Sequence, residues 1–167
     1  MIKPHLRTRP WLPEKAIEFI EKILTKDSIV VETGSGSSTI HMARLAKKVI
    51  SYEHKKEWFE FLVEKIKEME IHNIDLRLDL EYAANGIPDP GPFDFVLVDG
   101  RGRVTTVKSV HEKIRPGGWI ALDNANRERY QPAHDLLNNL GWTSYVVMDR
   151  IQPENKRGFT VFWKKPK

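Results

Sequence analysis

The sequence contains no cysteine. That absence removes disulfide bridges, thiolate metal sites and cysteine nucleophiles at once. No run of about 18 apolar residues occurs, so no membrane span is expected. The opening stretch MIKPHLRTRPWLPEKA is basic but lacks the apolar centre of a secretory signal, and a cytoplasmic location is the expectation. Repeats and low-complexity segments are missing too. The charge is only mildly lopsided, with a net +4 over 167 residues and a pI of about 9.2. Part of the excess sits in KPHLRTR and KKPK near the two ends, and solvated tails account for it without a nucleic-acid partner.

What is present suits a globular chain. Hydrophobic residues make up 40% and charged residues 30%. The length fits one domain over 1–167, with an N-terminal segment and helix over 1–26 ahead of a core over 27–167. At this size a single core buries roughly 70% of the surface the unfolded chain exposes.

Helix-like and strand-like patterns alternate along the chain. Pro13 opens a helix in which Ala16, Ile17, Ile20, Ile23 and Leu24 recur at helical spacing. Strands are predicted over 29–33, 49–53, 74–78, 93–98 and 119–122. Helices are predicted over 38–46, 56–70, 104–114 and from Pro132 to Gly141. FDFVLVDG is an almost unbroken apolar run, the profile of a central parallel strand covered on both faces. NGIPDPGP and RPGG read as loop and turn. WTSYVVMDR and GFTVFWKK follow each other without a helix and should form an antiparallel hairpin. The expectation is an open α/β sheet with helices on both faces. Trp58, Trp119, Trp142 and Trp163 lie in periodic segments and read as core. His41 and His54 read as bystanders.

The stretch VVETGSGSS joins the first strand to the next helix. Gly34 and Gly36 allow a sharp turn and a close approach to a ligand. A full dinucleotide fingerprint would place a third glycine at position 39, where this chain has Thr39. Glu53 ends the second strand 19 residues after Gly34, the distance at which an acid reads ribose hydroxyls. Glu32 ends the first strand and is expected to point into the ligand crevice. An acid there repels a pyrophosphate and suits an adenosine carrying a cationic group, which favours S-adenosylmethionine over NAD.

Together, VVETGSGSS, VISYE, FDFVLVDG, IRPGGWIALDN and the closing hairpin resemble the class I S-adenosylmethionine-dependent methyltransferases. The nearest subgroup is methyltransferase family 24, itself similar to catechol and caffeoyl-CoA O-methyltransferases. The resemblance spans about 28–164. It implies a Rossmann-like doubly wound sheet, mostly parallel, of order 3-2-1-4-5-7-6 with an antiparallel terminal strand. It also implies that Gly34, Ser35, Gly36 and Ser37 pass under the donor, with Glu32 near its ammonium, Glu53 on the ribose and Asp79 at the adenine. Asp99 would also face the donor.

Asp99 ends the fourth strand; Asp123 and Asn124 end the fifth. Adjacent strands lie about 4.8 Å apart, so these side chains can converge. Two carboxylates and an amide suit a hard cation such as Mg²⁺, and catechol O-methyltransferase-like enzymes hold their metal with residues of this kind. Without a metal, Asp99 is the first candidate general base and Asp123 the second. Arg101, Arg103 and Arg127, with Arg129, Arg150, Lys156 and Arg157, follow strand ends on one edge. They form a candidate basic rim for a small anionic acceptor. The N-terminal segment, anchored by Trp11, can serve as a lid. A homodimer is compatible with the chain. Three other readings stay open: an NAD-dependent oxidoreductase, a nucleoside-binding protein without catalysis, and a nucleic-acid methyltransferase, the last disfavoured by the lack of an aromatic stacking ladder.

Overall fold

The computed structural model describes residues 5–167; the first four residues of the basic N-terminal stretch lie outside it. In chain order the elements are α1 (Glu14–Ile23), β1 (Ile29–Thr33), α2 (Ser37–Ala43), β2 (Lys48–Glu53), α3 (Lys56–Glu68), β3 (Ile74–Leu78), α4 (Tyr82–Asn85), β4 (Phe93–Val98), α5 (Arg103–Val110), β5 (Ile114–Asp123), α6 (Gln131–Asn139), β6 (Thr143–Ile151) and β7 (Lys156–Lys164). The seven strands form one sheet of order β3-β2-β1-β4-β5-β7-β6, as expected. β7 runs antiparallel to both β5 and β6, and the other pairings are parallel.

Alternation along the strands divides the core in two. On β4, Val96 and Val98 face one layer with Tyr82, Val107, Ala133 and Leu137 from α4, α5 and α6. Phe95 and Leu97 face the other, with Ala16, Ile17, Ile20 and Met42 from α1 and α2. The same parity runs through β7, where Val161 and Trp163 join the first layer and Phe162 the second. β4 is apolar throughout because β1 and β5 flank it and helices cover both its faces.

Three segments differ from expectation. RPGG is a bulge inside β5, not a turn before it: the β4 pairing jumps from Phe93–Ile114 to Phe95–Trp119. Gly118 lies there because a Cβ would come within 2.7 Å of Ile114 and 2.9 Å of the Asp94 carbonyl oxygen. α2 stops at Ala43, since the Lys47 amide donates to the Ser28 carbonyl (3.0 Å) and draws the chain into β2. α4 is a single turn, too short for periodicity to reveal, and ends at Gly86.

The ends of β1 and β4 meet backbone to backbone. The Asp99 amide donates to the Thr33 carbonyl at 3.1 Å. A Cβ on Gly34 (φ +85°) would lie 2.9 Å from the Gly100 Cα, and one on Gly100 would lie 2.8 Å from the Gly34 nitrogen and strike the Tyr82 hydroxyl. Gly100→Ala therefore overpacks the junction and should cost about 1–3 kcal/mol in urea unfolding, with far-UV circular dichroism unchanged. A loss below about 0.5 kcal/mol would contradict this packing.

Candidate functional site

The loop after β1 is held from below and open above. The Gly34 amide donates to the Tyr52 carbonyl at 2.9 Å. The Ser35 amide donates to Glu53 Oε2 (3.2 Å), its hydroxyl pairs with that of Ser51 (2.7 Å), and its carbonyl accepts from Trp58 Nε1 (2.7 Å). The Gly36 amide donates to Thr39 Oγ1 at 2.9 Å. Over Gly36 there is space: a Cβ there would find nothing nearer than the Trp58 ring at 3.9 Å. That space belongs to a cavity of about 410 Å³, floored by residues 34–38 and walled by Trp58, Asp99 and the N-terminal residues His5, Arg7 and Trp11.

Glu32 is not on this wall. It is fully buried, and its carboxylate accepts hydrogen bonds from Ser38, Thr39 and Ser51 (the last at 2.7 Å). β1 alternation explains this: Val30 faces the layer under α1 and α2, and Glu32, two residues on, is turned toward the first turn of α2. Burial pushes its pKa from 4.5 up to about 7, against the pull of the three hydroxyls. Thr39, found where a third glycine would stand, is committed to this network.

Glu53 is also buried. Oε1 accepts from the amides of His54 (2.9 Å) and Lys55 (2.8 Å), while Oε2 takes the single amide of Ser35. Asp79, half-buried, accepts from the Glu81 amide at 2.8 Å. Neither lines the glycine-loop cavity, whereas Gly34, Ser35, Gly36, Ser37 and Asp99 do. Trp58, which reads as core in the sequence, is a cavity wall. The available signal was its place in the first turn of the helix that follows β2.

At the ends of β4 and β5 the Asp99 and Asp123 carboxyls are neighbours, and one guanidinium is lodged beside them. Arg103 Nε donates to the Gly100 carbonyl (2.9 Å), and Nη2 donates to the Asp99 carbonyl (2.8 Å) and lies 3.2 Å from Asp99 Oδ1. Its Nη1 donates to the Asp123 carbonyl and to Asn124 Oδ1, the latter at 3.1 Å. Asp123 Oδ1 accepts from Thr160 at 2.8 Å. The expected Mg²⁺ ligands are therefore already partnered: Arg103 lies against Asp99 Oδ1 and donates to Asn124 Oδ1, and Thr160 donates to Asp123 Oδ1. Among the described residues no group of three or more His, Asp or Glu is placed to hold a metal ion. Burial, then the Asp123 charge, holds the Asp99 pKa well above the ordinary carboxyl range, and burial raises Asp123 as well. Asp99 keeps 27% of its side chain exposed, while Asp123 lies buried behind it.

The basic rim is divided. Arg103 is buried and its donors are spent internally. Arg101 and Arg127 are exposed. Arg101 borders a second cavity of about 630 Å³ together with residues 102–105, Arg129 and Tyr130; Arg127 does not line it. The Tyr130 ring lies 5.0 Å from the Arg129 guanidinium and 5.3 Å from that of Arg103.

No protein-family model matches the chain. A protein-L-isoaspartate O-methyltransferase from Vibrio cholerae is 26% identical over 125 residues, 74% of this chain and 58% of its own length. One from Parvibaculum lavamentivorans is 27% identical over 92 residues, 55% of this chain and 40% of its own. The chain thus spans about half the length of these curated relatives. Among solved structures, an rRNA methylase from Streptococcus thermophilus superposes with a TM-score of 0.71 at 19% identity, covering 100% of this chain and 99% of the other. A precorrin-6y C5,15-methyltransferase from Geobacter metallireducens gives 0.72 at 19% identity over 90% and 87%. A Streptococcus mutans protein solved in complex with SAH gives 0.68 at 22% identity over 99% of each. The fold is that of the class I S-adenosylmethionine-dependent methyltransferases.

The Glu32 environment has a pH signature. Between pH 4.5 and about 7 the folded state keeps a proton that the unfolded chain has lost. Stability from that proton is fully present below about pH 4.5 and is lost as pH rises to 7, by about 3 kcal/mol. Urea unfolding should therefore show the difference between wild type and Glu32→Gln shift by that amount over this window. Parallel profiles would mean that Glu32 titrates normally.

Proposed function

We propose that this chain is an S-adenosylmethionine-dependent methyltransferase whose donor lies in the glycine-loop cavity. The observation that carries the reading is the open space over Gly36 at the carboxyl end of β1. There the sheet order reverses between β2 and β4, the place where such sheets take ligands. The backbone of 34–37, the Trp58 ring and Asp99 would hold the donor. Glu53 Oε2 takes one amide and keeps acceptor capacity for a ribose hydroxyl, and Asp79 stands at the end of β3 for the adenine. With Glu32 enclosed, the case against a dinucleotide rests on Thr39, whose hydroxyl serves Glu32 and Gly36, and on the antiparallel β7. The subgroup resemblance to methyltransferase family 24 rests on the sequence motifs alone.

The donor supplies an activated methyl group; the protein has to orient the acceptor, exclude water and take up a proton. Asp99, partly exposed on the cavity wall, is the proton acceptor in this reading. Asp123 behind it raises its basicity, and Arg103 holds both in place. Arg103 already engages Asp99 Oδ1 and Asn124 Oδ1, two of the three expected metal ligands, so no metal step is included. The acceptor is a small molecule methylated on oxygen, with an acidic group met by Arg101 and Arg129 at the second cavity. The names of the curated relatives agree with transfer to oxygen. A second reading, a nucleic-acid acceptor, is favoured by the exposed Arg101, Arg127 and Arg129 on one edge.

Calorimetry should show binding of S-adenosylhomocysteine and none of NADH; binding of NADH alone would overturn the donor assignment. With methyl-labelled donor, transfer to carboxylate- or phosphate-bearing small acceptors should fall about tenfold in Arg101→Ala. Transfer to RNA alone would favour the second reading.

A further inference from the structure

We propose that Arg7 binds the carboxylate at the amino-acid end of the donor, so that the strap of residues 5–12 completes the donor site. This rests on the reading of the glycine-loop cavity as the donor site. Among the described residues lining that cavity, Arg7 carries the permanent positive charge and Asp99 the carboxyl. The floor between them is uncharged. An α-amino acid end carries one carboxylate and one ammonium; the guanidinium complements the first, and the carboxyl on the opposite wall can accept a hydrogen bond from the second. A guanidinium offers a planar fork that fits a carboxylate through two hydrogen bonds.

Arg7 is also held in position. Its carbonyl accepts from the Ser37 hydroxyl at 2.8 Å, which fastens the strap to the first turn of α2. Its guanidinium stacks on the Trp11 ring at 3.9 Å. The next residue, Leu12, is buried in the core beside α1 and fixes the far end of the strap. One guanidinium nitrogen already pairs with a carboxylate, that of Glu154 in the loop between β6 and β7. The Arg7 side chain keeps 26% of its surface exposed, and a guanidinium with five N–H donors has capacity left to share with an incoming carboxylate. Trp11, half-exposed despite its size, gains cover when the cavity fills.

The test compares two nucleosides on the full chain by calorimetry: S-adenosylhomocysteine, and 5′-methylthioadenosine, which lacks the amino-acid end. Arg7→Ala should weaken S-adenosylhomocysteine about 10- to 100-fold and change 5′-methylthioadenosine by less than about twofold. Retained 5′-methylthioadenosine binding reports that the variant is folded, and Arg7→Lys should recover part of the loss. Equal weakening of both ligands, or no weakening of S-adenosylhomocysteine, overturns the role of Arg7. A wild-type protein that binds neither ligand overturns the donor reading itself, a different result from failure of the Arg7 assignment.

Discussion

The hydrogen bonds of a single side chain, Arg103, tie the ends of β4 and β5 together. Two strands that end in carboxyls would otherwise push like charges toward each other in a partly dry place. The guanidinium answers this by donating to three backbone carbonyls and an amide oxygen, and by pairing with Asp99. A guanidinium has five N–H donors and no way to lose its charge at working pH, so the lock persists wherever the protein is folded. Its consequences spread outward. Asp99 is set on the cavity wall with Asp123 behind it, and Gly100 is pressed against Gly34, which shapes the loop under the cavity.

A second polar knot lies on the other side of that loop. Glu32 gathers the hydroxyls of Ser38, Thr39 and Ser51, and so joins β1, α2 and β2 beneath the cavity floor. Buried polar groups of this kind are costly when unpaired and rigid when satisfied. The cavity floor is therefore a preorganised surface, with Trp58 bracing Ser35 from one side and the strap closing from another.

Much of the fold was legible in the chain. The alternation of helical and strand patterns, the apolar run of β4 and the helix-free ending imply an open α/β sheet with a closing hairpin; the strand order that is observed is the one implied by the resemblance to class I methyltransferases. The glycine loop and Asp99 come together as expected because strand ends must meet at one edge. The direction of individual polar side chains was less legible. Glu32 was expected in the crevice, although its parity with Val30 turns it under α2. Asp99, Asp123 and Asn124 look like a ligand set until Arg103 is placed among them; Arg101 and Arg103 read alike in sequence, yet one is exposed and the other buried. Arg7 lies nearly 30 residues from the loop it borders, so no local pattern could connect them.

The two central features of the proposed site are a donor over the glycine loop and an arginine, not a metal, beside Asp99 and Asn124. A crystal structure grown with S-adenosylhomocysteine and Mn²⁺ tests both, since manganese is visible by anomalous scattering. The predicted result is the nucleoside over Gly36, Arg103 still bonded to Asn124, and no anomalous peak between Asp99 and Asp123. A manganese peak there with Arg103 displaced, or a nucleoside bound elsewhere, would contradict it.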